Sequence, residues 1–348
     1  MNFKKTLIIG LGLIGGSFAK ALKKHKISNQ IFACDLNSEV IEFASSGGII
    51  DGGFDDLEYF SDEISNFDLI VLASPLSSYE DIFSQLEEKI SSAAIIIDLG
   101  SIKDLKIKNL PKNFIPCHPI AGSQNSGFEH SSADLFQDKK FVICSQNPEA
   151  KKIVELVKKI GAQAEFLDAK KHDEIYALVS HLPQFLSFLT SEFSPKNIKD
   201  EFFKNAFRLD DSDPELWSEI FEMNEENLEK FYLKFFENLE KNVAISNPLE
   251  HAKFLTLSVC HPREGGEGKL PFFDEKFLET NFAAIFFRAL VVKSLLEIPQ
   301  IKTFQNYTGS GFKDFTSIIE IVNYDQKKLA DLIEKNRAKI LKIFNSVS

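Results

Sequence analysis

Leu7-Ile8-Ile9-Gly10-Leu11-Gly12-Leu13-Ile14-Gly15-Gly16-Ser17 decides how this chain folds. An apolar run, a G-x-G-x-x-G and then the amphipathic Phe18, Ala19 and Leu22 predict strand, tight turn and helix. That is the opening of a dinucleotide-binding fold. Gly10 permits the turn, Gly12 lets the backbone approach a pyrophosphate, and Gly15 lets helix and strand pack closely. The helix start at Leu13 and Ile14 offers backbone amides to the phosphates. Ile31-Phe32-Ala33-Cys34 is a second short apolar strand, and it ends in Asp35, an acid placed to accept the ribose hydroxyls. No Arg follows Asp35 closely, so a 2′-phosphate lacks a partner and NAD is expected rather than NADP. Lys4, Lys5, the apolar run and Ser17-Phe18-Ala19 also imitate a secretory leader. A leader, however, requires neither glycine at those three spacings nor the strand that ends in Asp35.

The 348 residues suffice for two domains and a large core. With 26% charged and 44% hydrophobic residues and no long apolar run, the chain reads as soluble and globular, with no membrane partner. A net charge of −11 argues against a nucleic-acid partner, which needs clustered Lys and Arg. It leaves open a small anionic substrate held by one buried Arg. Cys34, Cys117, Cys144 and Cys260 lack metal-like spacing. They read as reduced thiols of a cytoplasmic protein, and no metal is expected.

Residues 1–168 alternate strand-like and helical patterns. Leu69-Ile70-Val71-Leu72-Ala73, Ala94-Ile95-Ile96-Ile97-Asp98 and Phe141-Val142-Ile143-Cys144 are continuously apolar, as in a parallel sheet covered on both faces. The fold class is therefore α/β, a Rossmann-type doubly wound parallel sheet. Ligands of such sheets bind beyond the carboxyl ends of the strands, which makes Ser74, Pro75, Ser101 and His118 candidates to face a nicotinamide. From 169 the pattern turns helical, predicting an all-α domain over 169–257 that closes over the cofactor. Residues 258–281, with Pro262 and Gly265-Gly266, read as a loop or insertion, and 282–348 as further helix. A His beyond a strand end in a Pro- and Gly-rich loop, as His118 is, can take a proton while hydride leaves an adjacent carbon.

In the order Gly10 to Ser17, Asp98-Leu99-Gly100-Ser101-Ile102-Lys103, His118-Pro119-Ile120-Ala121-Gly122-Ser123-Gln124-Asn125-Ser126-Gly127 and Ser180-His181-Leu182-Pro183, the chain resembles the prephenate/arogenate dehydrogenases of tyrosine biosynthesis. The resemblance covers roughly 1–240. It implies an NAD-dependent oxidative decarboxylation in which the hydroxyl-bearing ring carbon of prephenate gives up hydride and the ring carboxylate leaves as carbon dioxide. By resemblance His118 is the catalytic base, Ser101 orients it, His181 binds substrate, and Ser123 and Gln124 line the substrate loop. Phe202-Phe203-Lys204-Asn205-Ala206-Phe207-Arg208, with Ser212-Asp213-Pro214 after it, matches the family's arginine segment without a gap, although its glycines are lost. Arg208 is thereby the carboxylate-binding residue, and its planar fork suits that task. A surface Arg paired with Asp210 or Asp211 is the competing reading.

Arogenate carries an ammonium where prephenate has a keto group, so an acid in the pocket favours arogenate. Gln124 is neutral, and prephenate is preferred. A hydroxyisobutyrate-like dehydrogenase would want a catalytic Lys near 180–183, and none is there. A nucleotide-binding relative with weak turnover is the rival from another class.

Gly309-Ser310-Gly311-Phe312-Lys313-Asp314-Phe315-Thr316-Ser317 repeats the arginine segment about a hundred residues on. Trp217, Ile220, Phe221, Asn224, Leu228 and Phe231 match Leu329, Leu332, Ile333, Asn336, Ile340 and Ile343 at constant offset, and helices ending in Pro195 and Pro299 precede the two segments. The second copy has Ile285 for His181 and Ser317 for Arg208. The expectation is a degenerate helical repeat, so that the protein is either a homodimer or a pseudo-dimeric monomer. An ordinary helical extension with coincident periodicity is the alternative.

Overall fold

The computed structural model describes residues 2–87, 89–123, 125–243, 275–319, 331–336, 338–339 and 342–343. Two compact units result: Met1–Asp173 with Asp213–Met223, and Glu174–Ser212 with Asn224–Ser348.

In the first unit β1 (Phe3–Ile9), α1 (Leu13–Lys24), β2 (Ser28–Cys34), α2 (Ser38–Ser46), β3 (Gly52–Phe54), β4 (Leu69–Leu72), α3 (Tyr79–Leu86), β5 (Ile95–Asp98) and β6 (Phe114–Ile115) build a six-stranded sheet. Its order is β3-β2-β1-β4-β5-β6 and every pairing is parallel. This is the doubly wound order, which reverses between β1 and β4. The continuous apolar runs follow from burial on both faces. Ile8, Ile31, Val71 and Ile97 enter one core, while Leu7, Ile9, Ile70, Leu72 and Ile96 enter the other. Phe32, Phe60 and Phe67 meet edge to face in that second core, one use of the chain's abundant Phe.

The run at 141–144 does not join this sheet. Pro116 has no N–H to continue the ladder of β6, and the chain leaves it there. β7 (Cys117–Pro119) pairs antiparallel with β8 (Lys140–Ile143), which pairs parallel with β9 (Gln163–Phe166) after α4 (Ala150–Lys159).

The first unit runs on to Asp173 and takes up Asp213–Met223 as well. α5 (Ala169–Tyr176) carries the chain on through a π-helical turn, Ala177–His181, into α6 (Leu182–Thr190). Later α8 (Pro214–Met223) returns to the first unit, because its Trp217, Ile220 and Met223 form an apolar stripe that packs on the second core.

The second unit comprises α6, α7 (Glu201–Phe207), α9 (Glu225–Val243), α10 (Glu275–Leu296), α11 (Gln300–Phe304), α12 (Ser310–Ser317) and a helical stretch at 331–336. α9 packs against α10, and α7 against α12. Of the segment 258–281 expected as loop or insertion, residues 258–274 lie outside the described set and 275–281 are helical. The helix kinks at Asn281 (φ −108°, ψ 16°), one residue before the expected start of the second copy. Leu329 and Ile340 of the repeat pattern lie outside the described residues, whereas Leu332 and Ile333 are buried on 331–336. No described helix is long and apolar enough to cross a membrane.

Candidate active site

The β1–α1 turn is shaped by its glycines. Gly10 sits at φ +96°, where a Cβ would lie 2.6 Å from the backbone of Ala73 after β4. A Cβ on Gly15 would collide with the carbonyl oxygen of Gly10, so α1 meets its own entry turn in backbone contact. Gly12 differs: nothing lies within 4 Å of its Cβ position. It begins α1 without a side-chain cap, and no acid occupies the first turn, so no side chain offsets the positive dipole end at Leu13 and Ile14. The Asp35 carboxylate is drawn to this loop, accepting from the Leu11 amide at 2.6 Å and the Asn37 amide at 2.9 Å. Across the switch point the Ser74 hydroxyl lies 2.8 Å from that of Ser78, and Pro75 leads the turn that follows. Open space at Gly12, an uncapped helix start and an acid beyond β2 are the parts a dinucleotide requires.

A buried ion pair holds the neighbouring strand ends. Asp98, at the end of β5, pairs with Lys103 and accepts from the amides of Cys117 (2.9 Å) and Gly100 (3.1 Å). Lys103 also donates to the Cys117 carbonyl at 2.6 Å, which locks the turn carrying Ser101 to the strand carrying His118. Burial pushes the Asp98 carboxyl up from its ordinary value, and the Lys103 ammonium pulls it back.

Behind His118 stands a chain the sequence reading missed. Its Nδ1 lies 2.9 Å from Nε2 of His172 on α5, and Nδ1 of His172 lies 2.8 Å from the Asp173 carboxylate. Asp173 further accepts the amides of Lys103 (2.9 Å) and Asp104 (2.7 Å). A carboxylate that takes two amides can only accept, so His172 donates from Nδ1 and presents a lone pair at Nε2. His118 must then donate from Nδ1, which puts its own lone pair on Nε2. Burial, with Lys103 adding to it, pushes His172 well below the ordinary histidine value and keeps it neutral. His118 itself is half-buried on β7. The arrangement is that of an oriented general base.

The other expected residues are distributed unevenly. Ser101 is half-buried in the turn after β5, and the hydrogen bond described at His118 Nδ1 runs to His172 rather than to Ser101. Ser123 is exposed and its hydroxyl closes a local turn with Asn125. Gln124 lies outside the described residues. Among the described residues no grouping of His, Cys, Asp and Glu could hold a metal ion.

In the helical unit His181 ends the π-helical turn, only 1% exposed, with Nδ1 3.1 Å from the Asn224 side-chain nitrogen. The amide nitrogen donates, so the neutral ring carries its proton on Nε2. Arg208 follows α7. Its Nε donates to Asp314 at 2.6 Å and Nη2 to Ser310 at 3.3 Å, both on α12. The expected rivals for Arg208, Asp210 and Asp211, are not its partners. Asp210 is instead held by Arg288 of α10 (2.8 and 2.9 Å) and by the hydroxyls of Ser187 and Ser194. Arg288 is fully buried, stacked 4.7 Å from Phe207 and 5.2 Å from Phe315. A charge in the middle of the apolar run Phe282–Val292 was the sequence signal for it. The adjacent His172-Asp173 pair gave none, because its value lies in which strand it packs beneath.

Two family models match the chain: the prephenate dehydrogenase nucleotide-binding domain over residues 18–166, and the prephenate dehydrogenase dimerization domain over 168–251. A cyclohexadienyl dehydrogenase of Zymomonas mobilis is 30% identical over 279 residues, covering 72% of this chain and 93% of that protein. A prephenate dehydrogenase of Lactococcus lactis is 28% identical over 326 residues, covering 86% and 89%. Among solved structures, prephenate dehydrogenase from Aquifex aeolicus in complex with hydroxyphenyl propionate and NAD+ superimposes with a TM-score of 0.65 at 29% identity, covering 74% of this chain and 96% of that one.

Proposed function

This chain belongs to the prephenate dehydrogenase family, and from that premise we propose that it is an NAD-dependent prephenate dehydrogenase, converting prephenate to 4-hydroxyphenylpyruvate in tyrosine biosynthesis. The observation that carries the reading is the His118–His172–Asp173 chain, which fixes the tautomer of His118 on β7 and leaves Nε2 as its basic nitrogen. Gly12, Leu13, Ile14 and Asp35 hold the dinucleotide, with Ser74 and Pro75 at the neighbouring strand end. Bound NAD supplies the hydride acceptor. His118 Nε2 accepts the hydroxyl proton of the substrate as the ring carbon beneath it is oxidised, and returns that proton to the phenolate formed when carbon dioxide departs. Ser101 donates to the same hydroxyl oxygen and steadies it.

Arg208 is the carboxylate-binding residue in this reading, and His181 a second substrate ligand. Arg208 spends Nε on Asp314 and one Nη2 donor on the Ser310 hydroxyl, and its remaining guanidinium N–H groups grip a carboxylate. His181 donates from Nε2, its tautomer set by Asn224. Ser123 and the neutral Gln124 favour a keto substrate over an ammonium. The thiols of Cys34 and Cys144, pushed up to about 12 by burial, stay protonated and suit a reducing cytoplasm.

The direct test is NADH absorbance when purified protein meets NAD and either prephenate or arogenate. Prephenate should give the higher kcat/KM, and Gln124→Glu should move the ratio toward arogenate. A higher kcat/KM with arogenate in the unaltered protein would overturn the substrate choice. No NADH with either would overturn the enzyme.

A further inference from the structure

The two ion pairs that hold the Arg208–Asp210 turn both come from the C-terminal copy, and neither has a counterpart on the other side. In a two-fold interface each contact occurs twice, residue i with j and j with i. The repeat supplies the correspondence: 202–208 match 311–317 at an offset of 109, and Pro195 matches Pro299 at an offset of 104. α7 and α12 are thus equivalent helices, and they pack on each other as equivalent helices do across a two-fold axis.

The mirror of Arg208–Asp314 is Ser317–Asn205, and the mirror of Arg288–Asp210 is Gln184–Ile319. Each charged pair faces a mirror position from which both charges are missing. Dropping one partner would strand a buried or half-buried charge, whereas dropping both is close to neutral. The pattern is that of one recognition half-site kept and its twin dismantled as a unit. Gly311 adds to the asymmetry: its Cβ position lies 3.9 Å from Arg208 Nη2, while the matching residue in the first copy is Phe202.

We propose that the C-terminal helical copy serves this chain as a permanently attached partner subunit, with Asp314 the positioning residue that orients Arg208, so that each chain builds one carboxylate-recognition site without help from a second chain. This rests on the reading of Arg208 as the substrate's carboxylate ligand. Asp314 fixes a long, flexible side chain at Nε before substrate arrives, and Arg288 fixes the turn beneath it by clamping Asp210. The cost of ordering the guanidinium is met by the fold and not by the substrate.

Steady-state kinetics on full-length variants provide the test. Arg208→Ala establishes the premise by raising KM for prephenate strongly. Asp314→Ala should then raise KM about tenfold with kcat little changed, the size of one long side chain left to be ordered on binding. Asp314→Glu should recover most of the loss, which separates positioning from damage to the fold. An unchanged or lowered KM in Asp314→Ala, alongside a raised KM in Arg208→Ala, overturns the proposal while sparing the substrate reading. An unchanged KM in Arg208→Ala overturns both. Co-expression of differently tagged Arg208→Ala and Asp314→Ala chains decides where the pair forms. Two chains that stay apart, or a doubly tagged species that keeps both defects, support the in-chain site. Recovery of normal KM in the doubly tagged species would place the pair between chains and overturn it.

Discussion

His118 and His172 present their rings to each other at 5.0 Å between centroids, with a nitrogen-to-nitrogen distance of 2.9 Å. That contact exists only while one nitrogen has a proton and the other does not. Asp173 decides which, from one residue beyond His172. The tautomer of His118 is therefore set by a carboxylate it does not touch.

Replacing His118 by Asn removes the base and keeps a hydrogen-bonding side chain. kcat should fall by roughly 10² to 10⁴, the usual range for a lost general base. Stopped-flow measurement of NADH formation checks this, and a kcat within a few-fold of normal would assign the proton to another group.

His172→Phe preserves bulk and abolishes the acceptor. The His118 ring is then released to take either tautomer, and kcat should drop by roughly 10 to 10², with KM for NAD unchanged. The acid limb of the kcat/KM profile should shift as well, because the environment of His118 Nδ1 changes. Asp173→Asn should reproduce the effect in weaker form. A shift in KM for NAD with normal kcat would place this pair in the cofactor site instead.

His172 also links stability to pH. Its folded value is pushed below the ordinary histidine value near 6.5, so below that pH the unfolded chain binds the proton more readily than the folded one. Stability should be fully present above about pH 6.5 and decline as pH falls. Melting temperatures between pH 5 and 8 measure the slope, which should flatten in His172→Phe. An unaltered slope would show that other groups carry the acid sensitivity.

The glycines of the first turn should separate cleanly. Gly15→Ala sets a methyl against the Gly10 carbonyl and should lower the melting temperature or prevent folding. Gly12→Ala meets open space, so the apoprotein should melt normally while NAD binding weakens by calorimetry. Equal NAD affinity in Gly12→Ala would argue that no phosphate lies there.

Lys103→Met leaves the buried Asp98 with two amides and the Tyr79 hydroxyl but no counter-charge, and Asp98→Asn leaves the Lys103 ammonium on the Cys117 carbonyl with none either. Either change should cost about 3–5 kcal/mol of stability, as for broken buried pairs in general. The double variant should recover part of the loss, and strictly additive losses in denaturant titrations would show that the two do not interact.

The nucleotide half was legible because each part has a local signature. Glycine spacing, a β-branched run and an acid at the next strand end are read along the chain. Ile70, Ile96 and Ile97 announced their strands for the same reason, since burial on both faces leaves no alternative composition. The helical half was legible only in part. Arg208 could be aligned, but its partner Asp314 lies 106 residues away, and no helical periodicity reports which of two similar helices will pack on the other. His172 was hidden differently: a His-Asp pair at the start of a helix is unremarkable until the strand bearing His118 is laid over it. The second small sheet was missed because Pro116, not any change in hydropathy, ends the first.

The unequal mirror pairs at Arg288–Asp210 and Gln184–Ile319 have an evolutionary corollary. In an assembly of identical subunits every mutation strikes twice, once on each side of the axis, and a change that improves one face must be survivable on the other. Fusing the two faces into one reading frame lifts that constraint. Selection can then tune the arginine side and let its twin drift toward plain packing, an option closed to a homodimer by its own symmetry.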